Sequence, residues 1–219
     1  MHIRRDRDAL IIIDQQLDFQ PGGALAVADG DAVVEPINRM AETFSTVVIT
    51  QDHHPLGHIS FASSYVGREP FSSVTLREAE AGEVEISKQA AFTGDELVDY
   101  LRAVPSGLQQ LWPDHCVIGT SGEALDPRLE AWRATLLLRK GTRPNADSYS
   151  AFRENDGMTT GLAEALMARG VERVYVVGLA GDFCVLFTAI DGVDSGLEVI
   201  YLPSLTRFIG PTQPVMQQL

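Results

Sequence analysis

Five short apolar runs set the limits on how this chain folds. Ala9-Leu10-Ile11-Ile12-Ile13, Thr46-Val47-Val48-Ile49-Thr50, Leu136-Leu137-Leu138, Val174-Tyr175-Val176-Val177 and Leu197-Glu198-Val199-Ile200-Tyr201 are rich in β-branched and bulky residues. Each is too short to cross a bilayer. Near-continuous apolar character fits strands buried on both faces of a parallel sheet. Helical periods lie between them. Val33, Ile37, Met40 and Phe44 share one face, and Pro36 is admissible there only near the helix start. Leu162 and Leu166 mark a second helix that Gly170 would stop. A third is expected from about Phe183 to Ser195. Alternating strands and helices predict an α/β fold: a doubly wound, mostly parallel sheet flanked by helices in a Rossmann-like three-layer arrangement, forming one domain over residues 1–219.

Residues 65–110 break the rhythm. They carry Glu78, Glu80, Glu83 and Glu85, a helical piece near Asp95 to Arg102, and Pro105-Ser106-Gly107. This segment reads as an insertion over the sheet edge or the mouth of a site, with a solvated surface elaboration as the simpler account. A net charge of −13 opposes nucleic-acid binding, since nothing would offset phosphate repulsion. No run suits a membrane span, and Met1-His2-Ile3-Arg4-Arg5 is not followed by a long apolar segment, so no secretory signal is expected. Two cysteines do not make a disulfide framework, and a reducing cytoplasm is the expected setting.

Chemistry-bearing residues gather where strands should end, which is where open α/β sheets bind ligands. Asp14 closes the first run, and Phe19 follows it closely enough to line a pocket. Asp52 follows the second run with His54 two residues on. In extended chain, i and i+2 point to one side, so a carboxylate and an imidazole converge on a cation. With His115 from another loop they form three ligands with open positions, as in a catalytic metal site. That donor set suits Zn, Fe or Mn better than Ca, with zinc the first expectation. By alternation His53 points away and is structural. His58 is a further ligand or a supporting donor. Lys140 ends the third run, and beside a thiol its charge would favour the thiolate. Cys184 opens the third helix after the turn at Gly178-Leu179, where free N–H groups and the helix dipole lower a thiol pKa and offer an oxyanion hole. Cys116 precedes Val117-Ile118 and reads as packing.

The ordered set Asp14, Asp52-x-His54, His115, Lys140 and Cys184 resembles the nicotinamidase branch of the isochorismatase-like cysteine hydrolases. The segments that carry the likeness are IIIDQQLDF, TQDHHPLGHISFA, LWPDHCVIGTSGEA, LRKGTRPNADSYSAF and VVGLAGDFCVLFTAIDG, spanning about Ala9 to Gly192. The resemblance implies a catalytic triad of Asp14, Lys140 and Cys184, and a metal held by Asp52, His54 and His115. It also implies a pyridine ring walled by Phe19, Trp112 and Tyr149, an oxyanion hole from the N–H groups of Ala180 and Cys184, and a cis Leu179–Ala180 peptide. The expected reaction is hydrolysis of nicotinamide, and of pyrazinamide, through a cysteine thioester. The alternatives are a relative acting on another small amide or carbamoyl compound, and a relative that binds ligand without turnover. The expected partner is a small molecule, with room for self-association into a homo-oligomer. Two departures stand out: Gly181 where relatives carry threonine or similar, and Pro203-Ser204-Leu205-Thr206 where they commonly show Asp-Ala.

Overall fold

The computed structural model describes residues 2–210. Among the described residues seven strands form: β1 Asp8–Ile13, β2 Thr46–Asp52, β3 Ser73–Thr75, β4 Leu108–Gln110, β5 Leu136–Lys140, β6 Arg173–Gly178 and β7 Glu198–Thr206. The helices are α1 Val34–Ala41, α2 Leu76–Glu80, α3 Gly94–Ala103, α4 Leu162–Met167 and α5 Cys184–Asp194. Five strands make one all-parallel sheet in the order β5-β2-β1-β6-β7, while β3 and β4 pair antiparallel. The expected doubly wound sheet is present.

Alternation along the strands builds the two flanking layers. Leu10, Ile12, Val47, Ile49, Tyr175 and Val177 join α1 through Ile37 on one face. Ala9, Ile11, Ile13, Val48, Val174 and Val176 meet α4 and α5 on the other, through Leu162, Leu166 and Val185. In α1, Pro36 lies in the first turn, where its missing N–H costs no helical hydrogen bond. Gly170 takes φ +75° just beyond α4, a left-handed stop that a glycine adopts freely.

Two strands differ from expectation. The Leu136-Leu137-Leu138 run is not buried on both faces: β5 is an edge strand and Leu137 is half exposed. β7, at the other edge, runs past Leu202 through Pro203 to Thr206, with a register irregularity opposite Val176–Gly178. An edge position tolerates proline because its N–H side needs no partner.

Residues 65–110 supply most of a third core cluster, in which Tyr65, Val74, Phe92, Leu97, Tyr100 and Leu101 are buried together with Ile59, Ala62, Leu111 and Ala146. The capping boxes Thr75–Glu78 and Thr93–Glu96 start its two helices.

Candidate active site

Sheet topology gathers the site. Asp14 follows β1, Asp52 ends β2, Lys140 ends β5, and Gly178-Leu179-Ala180 leaves β6 towards Cys184. All four strand ends lie at the carboxyl edge, around the point where the chain winds to either side of β1.

Lys140 sits at the centre, fully buried. Its Nζ lies 3.0 Å from Asp14 Oδ2, contacts Asp52 Oδ1, and donates to Ser148 O at 3.0 Å and to Cys184 Sγ at 3.3 Å. Thr50 Oγ1 accepts from Asp14 N and donates to Asp14 Oδ1 at 2.6 Å, so Oδ2 is left facing the ammonium and the thiol. Asp14 holds φ +46°, an uncommon conformation for a side-chain-bearing residue, at the point where its carboxyl must turn back over the strand ends.

The charges decide the protonation states. Burial pushes Asp14 up, Lys140 pulls it down and Asp52 pushes it up again, leaving it at about 6. Burial opposes ionisation of Asp52, yet Lys140, His54 and His115 hold its carboxyl far below the ordinary range. The expectation that the helix start lowers the Cys184 thiol pKa is not met. Burial, reinforced by Asp14 and Asp52, outweighs Lys140 and pushes the thiol well above its usual value. The sulfur therefore rests as a thiol, beside a carboxylate able to take its proton.

A divalent metal is the cofactor expected beside these groups, and the residues present fit one. Nδ1 of His54 donates to Gly141 O at 2.9 Å, and Nδ1 of His115 donates to Pro113 O at 2.8 Å. A carbonyl only accepts, so in the neutral form of each ring Nε2 carries the lone pair. Those Nε2 atoms lie 3.7 and 3.9 Å from Asp52 Oδ2, the oxygen that Lys140 does not take. The three ligand atoms are buried and lie within 4.8 Å of one another. Burial and the neighbouring His54 push His115 down to about 4, so it is neutral and ready to bind a cation.

His58 lies outside the Asp52–His54–His115 trio, although its ring also clusters with His54 and Asp147 in a second buried group. Its Nδ1 meets Ser60 Oγ at 2.7 Å, its Nε2 meets Ala146 O at 3.0 Å, and its ring stacks on His54 at 4.2 Å. It supports the His54 ring by packing. His53 points away as alternation requires, and its Nδ1 pairs with Glu123. Cys116 is buried packing, at φ +47°, and its N–H donates to Asp18 Oδ2.

A narrow cleft opens onto Cys184, and Phe19, Trp112, Tyr149 and Ala180 all line it. Phe183, read from the sequence only as a helix start, is a further wall, meeting Trp112 edge-on at 4.7 Å and Tyr149 at 5.5 Å. An aromatic directly before a helix-opening cysteine was the signal for it. Asp147 and Ser148 also line the cleft and carried no signal in the sequence, since short polar residues in a loop are common. The Leu179–Ala180 peptide is cis. Among the described residues, the N–H groups of Ala180 and Cys184 have no backbone acceptor, and Cys184 N is the first of α5. They are free to receive an oxyanion. At Gly181 a Cβ would come within 2.5 Å of the Phe208 ring and 2.7 Å of Thr206 Cγ2. The departure from threonine there is matched by a ring lying over the turn.

Residues 103–213 match the isochorismatase domain. The chain is 45% identical to the nicotinamidase of Acinetobacter baylyi over 191 residues, 87% of this chain and 76% of that one. A nicotinamidase/pyrazinamidase structure from Acinetobacter baumanii superposes with a TM-score of 0.82 at 38% identity, covering 99% of this chain and 95% of that one. The Pyrococcus horikoshii pyrazinamidase in complex with zinc gives a TM-score of 0.68 at 29% identity, covering 97% and 93%.

Proposed function

The chain belongs to the nicotinamidase branch of the isochorismatase family, and on that ground we propose that it hydrolyses nicotinamide to nicotinate and ammonia and cleaves pyrazinamide in the same way. It is a metal-dependent amidohydrolase. One observation carries the chemical reading: a single buried ammonium, Lys140 Nζ, bridges the Asp14 carboxylate and the Cys184 sulfur at 3.0 and 3.3 Å.

Asp14 Oδ2 takes the proton from Cys184, and Lys140 stabilises the thiolate that forms. The sulfur attacks the amide carbonyl carbon, and the oxygen's new negative charge is received by the N–H groups of Ala180 and Cys184. Collapse breaks the C–N bond while Asp14 returns the proton to nitrogen, releasing ammonia and leaving a thioester. Asp14 then takes a proton from water, which attacks the thioester and frees nicotinate and the thiol. Phe19, Trp112, Tyr149 and Phe183 hold the ring and exclude bulk water, so the backbone donors act in a poorly screened site. A divalent metal, zinc in this reading, would be held by Asp52, His54 and His115 and would supply a Lewis-acid anchor for the pyridine nitrogen.

The chain works as one hydrolase domain on a small free substrate. That is supported by its net charge and by the described residues, none of whose helices is long and apolar enough to cross a membrane. Two free, buried cysteines support a reducing cytoplasm as its setting. The test is ammonia release from nicotinamide by purified protein of measured metal content, beside Cys184→Ala. Rapid release by the parent and none by the variant is expected. No release by a folded, metal-loaded parent overturns the substrate.

A further inference from the structure

A closed ring of hydrogen bonds, buried at Tyr100, Gln109 and Asp147 and half-buried at Asn155, ties residues 65–110 to the wall of the reaction cleft. Tyr100 OH donates to Gln109 Oε1, and Gln109 Nε2 donates to Asp147 Oδ2 at 2.8 Å. Asp147 O accepts from Asn155 N at 2.9 Å, and Asn155 Nδ2 returns to Tyr100 OH at 3.4 Å. Gln109 and Asp147 are 1% and 2% exposed, so each bond replaces solvent that neither group can reach. The ring's output lies in three consecutive cleft residues. Asp147 faces the cleft with Oδ1 held by Ser148 N at 2.8 Å. Ser148 O takes the Lys140 ammonium. Tyr149, a ring wall, donates its N–H to Asn155 Oδ1 at 3.1 Å.

We propose that Gln109 and Tyr100, both from the 65–110 segment, are positioning residues for the substrate cleft, acting through Asp147 and Asn155 to set the 147–149 wall. The segment thus helps set the cleft wall from behind. The inference rests on the amidase reading for its substrate, and on the geometry alone for its residues. A side chain of matching length without polar ends, as in Gln109→Met, leaves Asp147 Oδ2 unpaired and frees the wall to shift. Lys140 keeps both Asp14 and Asp52 in that variant, so the ammonium stays beside the thiol. The loss therefore falls on binding.

The experiment is steady-state kinetics and thermal melting of the parent, Gln109→Met, Tyr100→Phe and Asp147→Ala, and of the Gln109→Met/Asp147→Ala pair. Gln109→Met should raise KM about tenfold, the scale of one orphaned buried acceptor, and change kcat less than about threefold. Tyr100→Phe, which removes one oxygen, should move KM in the same direction by less, and decides the matter if Gln109→Met does not fold. In the Asp147→Ala background, Gln109→Met should add less than about twofold, because the intermediary is gone. Unchanged KM with a lowered melting temperature makes the ring structural only and overturns the proposal, as does full additivity of the pair. Parent turnover on nicotinamide tests the reaction separately. If the parent cleaves a different small amide, the substrate reading fails while the KM ratio still decides the positioning role.

Discussion

Gly141 offers the sharpest test of the proposed metal site, because one added methyl group would strike a ligand. It follows Lys140 at φ +61°, and its carbonyl holds His54 Nδ1 at 2.9 Å. A Cβ built there lies 2.3 Å from His54 Cε1 and 2.6 Å from Nδ1, where ordinary contact begins at 3.4 Å. Gly141→Ala must push the ring back by about 1 Å, the difference 3.4 − 2.3. Metal–ligand distances tolerate only about 0.2 Å. Disturbed support of a ligand typically costs about 10–100-fold in metal affinity, or about 1.4–2.7 kcal/mol. The left-handed backbone adds about 1–2 kcal/mol of instability by itself. Gly170→Ala is the control: it has φ +75° and nothing within 4 Å of the added Cβ, so it carries the backbone cost without the ring contact. The assay is zinc affinity by chelator competition, with melting temperature and ammonia release at limiting and at excess metal. Gly141→Ala should lose affinity and regain much of its activity in excess zinc, while Gly170→Ala should lose stability alone. A folded Gly141→Ala protein with parental zinc affinity would refute the assignment of His54 as a ligand.

Four more outcomes are expected. Cys184→Ala should lower ammonia release at least about a thousandfold while the circular dichroism spectrum persists, and near-parental turnover would exclude the thioester route. Asp14 must be ionised to take the thiol proton and sits at about 6, so kcat/KM should climb through pH 6 and level above it; a flat profile between pH 5 and 7 would remove Asp14 as the base. For folding the sign is reversed. A carboxyl whose folded pKa is raised opposes the folded state once ionised, so its contribution to stability declines as pH rises from about 4 to about 6. Gly181→Thr should destabilise by about 1–3 kcal/mol through overpacking against Phe208, and Phe208→Ala in the same chain should recover part of the loss; unchanged melting of the single variant would deny that contact.

Much of this protein is local in origin and so was legible in the sequence. Apolar runs the length of one strand named the core strands, because a buried parallel strand must be apolar on both sides. Asp14, Asp52 and Lys140 stood out because they break those runs at the carboxyl ends, and the i,i+2 rule paired Asp52 with His54 and turned His53 away. What depends on neighbours distant in sequence was settled by the tertiary structure. The sheet edge left Leu137 half exposed, although Leu136-Leu137-Leu138 reads like a core strand. Burial and two carboxylates, brought in from β1 and β2, reversed the expected shift of the Cys184 thiol, which the helix start alone would have lowered. His58 stands outside the Asp52–His54–His115 trio, with its ring nitrogens against Ser60 and Ala146, contacts that no local pattern announced. Gln109 and Asp147, 38 residues apart, carry no shared local pattern, and only packing of the 65–110 segment against the cleft brings an amide to a carboxylate. Periodicity and strand-end polarity are encoded residue by residue, whereas charge balance and hydrogen-bond partnership are sums over whatever the fold places within a few ångströms.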